Sequence, residues 1–147
     1  MRKGIAVRPL RGSDLPAYLP LRAALWPEGG ADREEVERLL RDPDQAAFVA
    51  EVAGKLVGFA EVSLRPYAEG CETRPVGYLE GWYVAPERRG RGIGRALAEA
   101  AEAWARGKGC REMASDAELG NPLGQEAHRR LGYEEVARLA CYRKTPL

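Results

Sequence analysis

Only one histidine, His128, occurs in this 147-residue chain, which excludes a multi-histidine zinc or iron centre. Cysteine is scarce too. Cys71, Cys110 and Cys141 are odd in number and have neither metal-ligand nor redox spacing. This argues against a disulfide framework and a thioredoxin-type site, and no metal is expected. Neither sign of charge dominates, since 23 basic and 22 acidic side chains leave a formal net charge of +1. A dedicated nucleic-acid binder carries a clear basic excess, so no nucleic-acid partner is expected. Long apolar runs are also missing. The longest, Ala46 to Ala50, is far too short to cross a bilayer, so no membrane partner is expected. The opening Met1-Arg2-Lys3-Gly4 has no apolar signal-peptide core, which predicts a cytoplasmic protein. The remaining composition, 45% hydrophobic and 31% charged, is ordinary for a soluble globular chain. The length suits one compact domain over 1–147.

The residue pattern predicts alternating strands and helices. Ile5 to Leu10 reads as a first strand. Ser13 and Asp14 supply helix-start chemistry, and Leu15, Tyr18, Leu19, Arg22 and Leu25 follow at mostly apolar three-and-four spacing, so a helix runs to Trp26-Pro27 with a kink expected at Pro20. A more polar helix follows from Asp32 to about Leu40, its glutamates forming a solvated face. Ala46 to Val52 and Leu56 to Leu64 form a hairpin around Ala53-Gly54-Lys55. A loop over Arg65 to Pro75 leads to a strand from Val76 to Val84. A helix then spans Gly92 to about Lys108, a strand Cys110 to Ser115, and a helix Asn121 to Leu131. Tyr133 to Lys144 reads as a last strand. Strands flanking the Gly92 helix require a parallel crossover, whereas the earlier ones pair through short turns. The expected fold class is therefore α+β, sandwich-like, with a mixed, mainly antiparallel sheet flanked by helices.

The strongest chemical signal is the run from Val84 to Gly94, Val-Ala-Pro-Glu-Arg-Arg-Gly-Arg-Gly-Ile-Gly, set between a strand and a helix. Glycines remove the Cβ atoms that would keep an anion from the backbone, and a helix start offers unpartnered amides with a favourable dipole. Arg88, Arg89, Arg91 and Arg95 add counter-charge. The Gly-Lys-Ser/Thr ending of a nucleotide P-loop is absent. A glycine-rich turn with arginines can be merely a solvated loop, but the strand-loop-helix setting favours phosphate binding.

Here the chain resembles the GNAT family of acyl-coenzyme-A-dependent N-acetyltransferases. Its pyrophosphate motif, Arg/Gln-x-x-Gly-x-Gly/Ala, is matched by Arg89-Gly90-Arg91-Gly92-Ile93-Gly94. The family often carries an Asn seven residues before a Tyr, followed by Gly-aromatic. Asn121 stands seven residues before His128, and Gly132-Tyr133 follow, so a histidine replaces the tyrosine. Within the family, Leu25-Trp26-Pro27, Leu79-Glu80-Gly81, the run Gly109 to Asp116 and Tyr142-Arg143-Lys144 are similar to the aminoglycoside 6'-N-acetyltransferases, a short dimeric branch. Gly29 and Ala137 stand where branch members carry a histidine and a carboxylate.

The resemblance implies acetyl-CoA as acetyl donor and a polycationic primary amine, such as the 6'-amine of an aminoglycoside, as acceptor. It implies that the strand before the phosphate loop bulges and splays, so that backbone groups of Trp82, Tyr83 and Val84 hold the pantetheine arm. Arg89, Gly90, Arg91, Gly92, Ile93, Gly94, Arg95 and Asn121 complete the cofactor-binding set. Trp26, Tyr67, Glu80 and Asp116 would line the acceptor site, and a homodimer, at times exchanging C-terminal strands, is implied as well. A protonated amine cannot attack a thioester, so a carboxylate, Glu80 or Asp116, must take its proton. The departing thiolate needs a proton or hydrogen bond, from His128 or Tyr142. Glu28, Glu69 and Glu72 are candidates for an acidic rim. Transfer would be direct, within a ternary complex. Other acceptors (a polyamine, a peptide amine, a metabolite) and a non-catalytic acyl-CoA sensor remain open. So do purely structural roles: Glu80 as a solvent-facing strand residue, Asp116 as a loop cap, His128 as a helix histidine, Trp26 and Tyr67 as packing aromatics. Cys110, mid-strand, reads as a small buried apolar residue.

Overall fold

The computed structural model describes residues 4–147, so the charged opening Met1-Arg2-Lys3 lies outside the described residues. Five strands form one sheet in the order β1-β2-β3-β4-β5. They are β1 (Ile5–Pro9), β2 (Gln45–Val52), β3 (Lys55–Arg65), β4 (Val76–Val84) and β5 (Met113–Ser115). The first four pair antiparallel, and β4 with β5 is parallel. The β2–β3 turn is tight because Ala53 and Gly54 both adopt positive φ, at 51° and 78°, a twist that matches the flanking strands.

Helices α1 (Leu15–Leu25) and α2 (Arg33–Arg41) cover one face of the sheet, and α3 (Ile93–Gly107) covers the other. A last helix, α4, spans Pro122–Arg130. Strand alternation sorts the core. Ala47, Val49 and Phe59 pack with Leu15, Tyr18, Val36 and Leu39, while Ala50, Ala60 and Leu79 pack with Ile93, Leu97 and Ala101. Helix α1 runs through Pro20 without interruption. Asp32 caps α2 by accepting from the Glu35 amide, and Asn121 caps α4 by accepting from the Gly124 amide. Cys110 is buried as expected, but it lies before the strand rather than within it.

Two expectations need correction. The strand expected from Cys110 covers only Met113–Ser115. The strand expected over Tyr133 to Lys144 does not form: from Tyr133 on, the chain has no ladder partner, and Val136, Leu139 and Tyr142 are exposed. Its alternating pattern fits a strand, but a strand also needs a neighbour, and among the described residues no strand pairs with the outer edge of β5.

Beside β1, the nearly buried Asp14 carboxylate accepts from Arg8 Nη1 and Nη2, at 2.7 and 2.9 Å, and from the Arg11 amide at 2.8 Å. The Arg8 guanidinium, against the cost of burial, holds the carboxyl at about 2, below its ordinary 3.8. A carboxyl depressed by folding adds stability above its unfolded pKa, and that stability is lost as pH falls toward the folded one. Asp14→Asn should therefore cost about 2 kcal/mol at pH 7 and much less near pH 2. Denaturant unfolding of both proteins at the two pH values reads this, and a penalty equal at both would refute it.

Candidate active site

The loop from Arg89 to Arg95 has the backbone features of an anion-binding turn. Gly90 and Gly92 take φ of 78° and 84°, backbone that an L side chain rarely adopts. Gly92 is the N-cap of α3, with no side-chain cap and no acidic residue in the first turn. The amides at this helix start, together with its dipole, thus present positive potential to the outside. The Gly94 backbone lies close under Trp82: a Cβ there would stand 3.3 Å from the ring, and Trp82 Nε1 donates to the Gly94 carbonyl at 2.8 Å. The arginines divide their work. Arg89 turns back, Nε donating to the Val84 carbonyl at 2.7 Å with its guanidinium over Tyr83. Arg95 donates to the Arg130 carbonyl and ties α3 to the end of α4. Arg91 is exposed at the loop tip.

Beyond the loop, β4 separates from β5. Their pairing runs Gly77–Met113, Tyr78–Ala114 and Leu79–Ser115 and then stops. At that point β4 also bulges, because Glu61 of β3 opposes Gly81 while its neighbour Val62 opposes Leu79, leaving Glu80 as the extra residue. Trp82, Tyr83 and Val84 stay paired to β3 through Ala60, Phe59 and Gly58, but among the described residues no strand pairs with their other edge. The result is a wedge-shaped gap with the phosphate loop at its open end and Leu79–Ser115 at its closed end. Its free strand edge can hydrogen-bond an extended polar arm.

The closed end is polar. Ser115 Oγ lies 2.7 Å from His128 Nε2 and donates to the Leu79 carbonyl at 3.3 Å. His128 Nδ1 lies 2.6 Å from the Gly124 carbonyl. The half-buried imidazole packs edge-on against Trp82 and Tyr133. His128 is thereby brought to the gap, with neither ring nitrogen free.

The acceptor-side candidates sit beyond the bulge. Trp26, the C-cap of α1, sets the six-membered ring of its indole against Gly81, where any Cβ would collide with it. A cavity of about 440 Å³ beside it is lined by Glu80, Glu61, Arg22 and Glu35 among others. The Glu80 carboxylate accepts from Arg65 Nε and Nη2, at 2.9 and 2.7 Å, and from the Ser63 hydroxyl. Arg65 stacks on Tyr78, 3.5 Å from its ring centre, and the Tyr78 hydroxyl donates to Asp116 at 2.5 Å. Burial, and then the Asp116 charge, push this phenol well above its ordinary pKa, so it remains a donor. Glu80 and Asp116 are thus joined through Arg65 and Tyr78. Tyr67 is exposed on the neighbouring loop, with Glu69 and Glu72, and Glu28 is exposed after α1. That loop is held by Glu112, whose carboxylate accepts from the Glu72 amide and from the Thr73 amide and hydroxyl. Tyr142, 93% exposed on the tail, is not brought to the other residues.

Beneath Trp26 lies a buried group that the sequence pattern alone did not single out. Glu61, 3% exposed, accepts from the Tyr18 hydroxyl and from Arg22 Nε at 2.6 Å and Nη2 at 3.1 Å. Arg22 also donates to the Gly30 carbonyl and to Glu35, and its guanidinium lies 4.9 Å from the Trp26 ring centre. Burial works against its charge, but the bonds from Glu61 and Glu35 outweigh this and hold it fully protonated. A signal does exist in the sequence: Arg22 interrupts an apolar helix face, and Glu61 interrupts Phe59-Ala60-Glu61-Val62. Arg65 and Ser115 carry no such signal.

Residues 13–133 match the model of the Acetyltransferase (GNAT) family. Over 144 residues the chain is 45% identical to an aminoglycoside N(6')-acetyltransferase type 1 of Klebsiella aerogenes, covering 94% of this chain and 95% of the relative. It superposes with TM-score 0.92 on an aminoglycoside N-acetyltransferase, AAC(6')-Iy, in complex with CoA, at 38% identity and covering 96% and 95% of the two chains. A second structure of AAC(6')-Iy, in complex with the bisubstrate analog CoA-S-monomethyl-acetylneamine, gives TM-score 0.91 at 38% identity, covering 95% and 97%.

Proposed function

The chain belongs to the acetyltransferase (GNAT) family, and from that premise we propose that it moves the acetyl group of acetyl-CoA to the 6'-amine of an aminoglycoside. The observation that carries the reading is the wedge between β4 and β5, with an uncapped helix start and arginines at one end and two carboxylates at the other. The loop from Arg89 to Arg95 takes the pyrophosphate. The free edge of Trp82, Tyr83 and Val84 takes the pantetheine arm, which runs back along β4 and brings the thioester to the bulge. A backbone amide there stabilises the oxyanion as the amine adds. Trp26 and Tyr67 flank the acceptor, and Glu80 and Asp116 bind its ammonium and remove a proton. The amine attacks directly within a ternary complex. Because acetyl-CoA is an intracellular metabolite, the reaction belongs in the cytoplasm.

The test is acetylation of kanamycin or tobramycin by the purified protein, with spermidine and simple primary amines alongside. Aminoglycoside turnover well above that of the other amines is expected. Equal turnover on all of them would reject the antibiotic acceptor, and none on any would leave an acyl-CoA sensor.

The bare edge of β5 and the unpaired tail support a homodimer. Tail residues Val136 and Leu139 line a groove of about 1070 Å³ along that edge, together with Met113, Ser115 and Leu131. A partner's tail laid there would supply the missing strand. Light scattering at micromolar concentration should give twice the 16.1 kDa chain mass, and a monomer would refute this.

A further inference from the structure

His128 sits at the closed end of the gap, but its contacts show that it does not face the gap with a free nitrogen. The Gly124 carbonyl, 2.6 Å from Nδ1, can only accept, so Nδ1 carries a proton. Nε2 is then the nitrogen that can gain or lose one, and it points at Ser115 Oγ, 2.7 Å away. Ser115 is the last β5 residue paired to β4, and its hydroxyl also reaches the carbonyl of its partner Leu79. The residue next to Leu79 is the bulged Glu80. On the acetyl-transfer reading, an arm entering from the loop and running back along Val84 to Trp82 heads toward this hydroxyl.

We propose that Ser115 delivers the proton to the departing coenzyme A thiolate, and that His128 is the positioning residue behind it, resupplying that proton. The inference rests on the acetyl-transfer reading above and adds a residue to it. When the tetrahedral adduct collapses, the carbon–sulfur bond breaks and its electron pair goes to sulfur. The Ser115 hydroxyl gives its proton to sulfur as Nε2–H gives its own to Oγ, so no alkoxide forms. His128 is left neutral, still donating from Nδ1 to Gly124, and Ser115 then donates to Nε2. The amine's protons leave by way of the acceptor-side carboxylates and water, and His128 regains a proton from water before the next turnover. Trp82 and Tyr133 hold the ring edge-on at 5.3 and 5.8 Å, which restricts it to this orientation. Within one chain, two tyrosines are poorly placed to protonate the thiolate. Tyr142 is exposed on the tail, and the Tyr133 hydroxyl is committed to Glu102 at 2.7 Å.

Steady-state kinetics with acetyl-CoA and kanamycin test this in the full-length protein, using Ser115→Ala, Ser115→Thr, His128→Gln and the Ser115→Ala/His128→Gln double variant. Ser115→Ala should lose about a hundredfold in kcat, the range of a general acid, with KM for acetyl-CoA and the melting temperature unchanged. Ser115→Thr, which keeps the hydroxyl, should restore most of the rate. Because the two groups act in series, the double variant should be no slower than the slower single one. The relay is overturned if Ser115→Ala keeps the wild-type kcat, if Ser115→Thr is as slow as Ser115→Ala, or if the two losses multiply. A wild-type protein inactive on every amine removes the parent reading, whereas an active wild type with an indifferent Ser115→Ala removes the relay alone.

Discussion

Replacing Glu61 with alanine should destabilise the fold by about 3–5 kcal/mol, because it strands a buried guanidinium. For a chain of this length that lowers the melting temperature by roughly 10 °C. Arg22 is 3% exposed and would keep only the Gly30 carbonyl and the half-exposed Glu35. Tyr18, with no exposed surface, would lose the acceptor of its hydroxyl. The asymmetry of buried ion pairs gives the control. Replacing both partners together, as Arg22→Met with Glu61→Leu, removes two desolvation costs along with one attraction and should cost far less than Glu61→Ala alone. Urea unfolding of the three proteins decides the matter, and a loss below about 1 kcal/mol in Glu61→Ala would mean the pair behaves as a solvent-screened one. The damage should also reach the cavity beside Trp26, since Glu61 opposes Gly81 across the bulge and Arg22 lies beside Trp26, which rests on Gly81.

That pair shows why some of the molecule is legible in the sequence and some is not. Local signals carry most of the fold. Hydrophobic period places β2, β3, β4 and α3 within a residue or two, and the glycines of the phosphate loop do adopt left-handed backbone at Gly90 and Gly92. The bulge at Glu80 and the splay from β5, which the resemblance implies, are present in the register. Contacts between residues far apart in the chain are not legible. Arg22 and Glu61 are 39 residues apart, and only the interruption of two apolar patterns hints that they meet. Arg65 reads as the start of a loop, yet it closes β3 and occupies the Glu80 carboxylate. Ser115 is one residue of the run ending in Asp116, and nothing in its spacing from His128 announces a hydrogen bond. The last strand fails for the opposite reason. Its pattern is clear, but strands are stabilised by neighbours, and the described residues supply none to the edge of β5.

Substituting the two carboxylates separates their roles. Glu80 is the bulged residue beside the free edge of β4, whereas Asp116 lies past the end of β5 and is held by Tyr78. On this geometry Glu80→Gln should lower kcat for aminoglycoside acetylation by about 100- to 1000-fold, as loss of a general base does. Asp116→Asn should act mainly by raising KM for the acceptor. Neither should weaken coenzyme A binding, since neither residue belongs to the phosphate loop or the free edge of β4. Stability is the useful control. The Arg65–Glu80 pair is partly exposed, with side-chain exposures of 42% and 30%, and pairs of that kind contribute no more than about 1 kcal/mol. A rate loss of two to three powers of ten corresponds to about 3–4 kcal/mol of transition-state stabilisation, which so small a structural loss cannot supply. Single-turnover kinetics with saturating acetyl-CoA, alongside calorimetric titration of coenzyme A, read both quantities. If Glu80→Gln kept most of the wild-type kcat while Asp116→Asn lost it, the proton would leave through Asp116, and the Arg65–Glu80 pair would serve to shape the bulge.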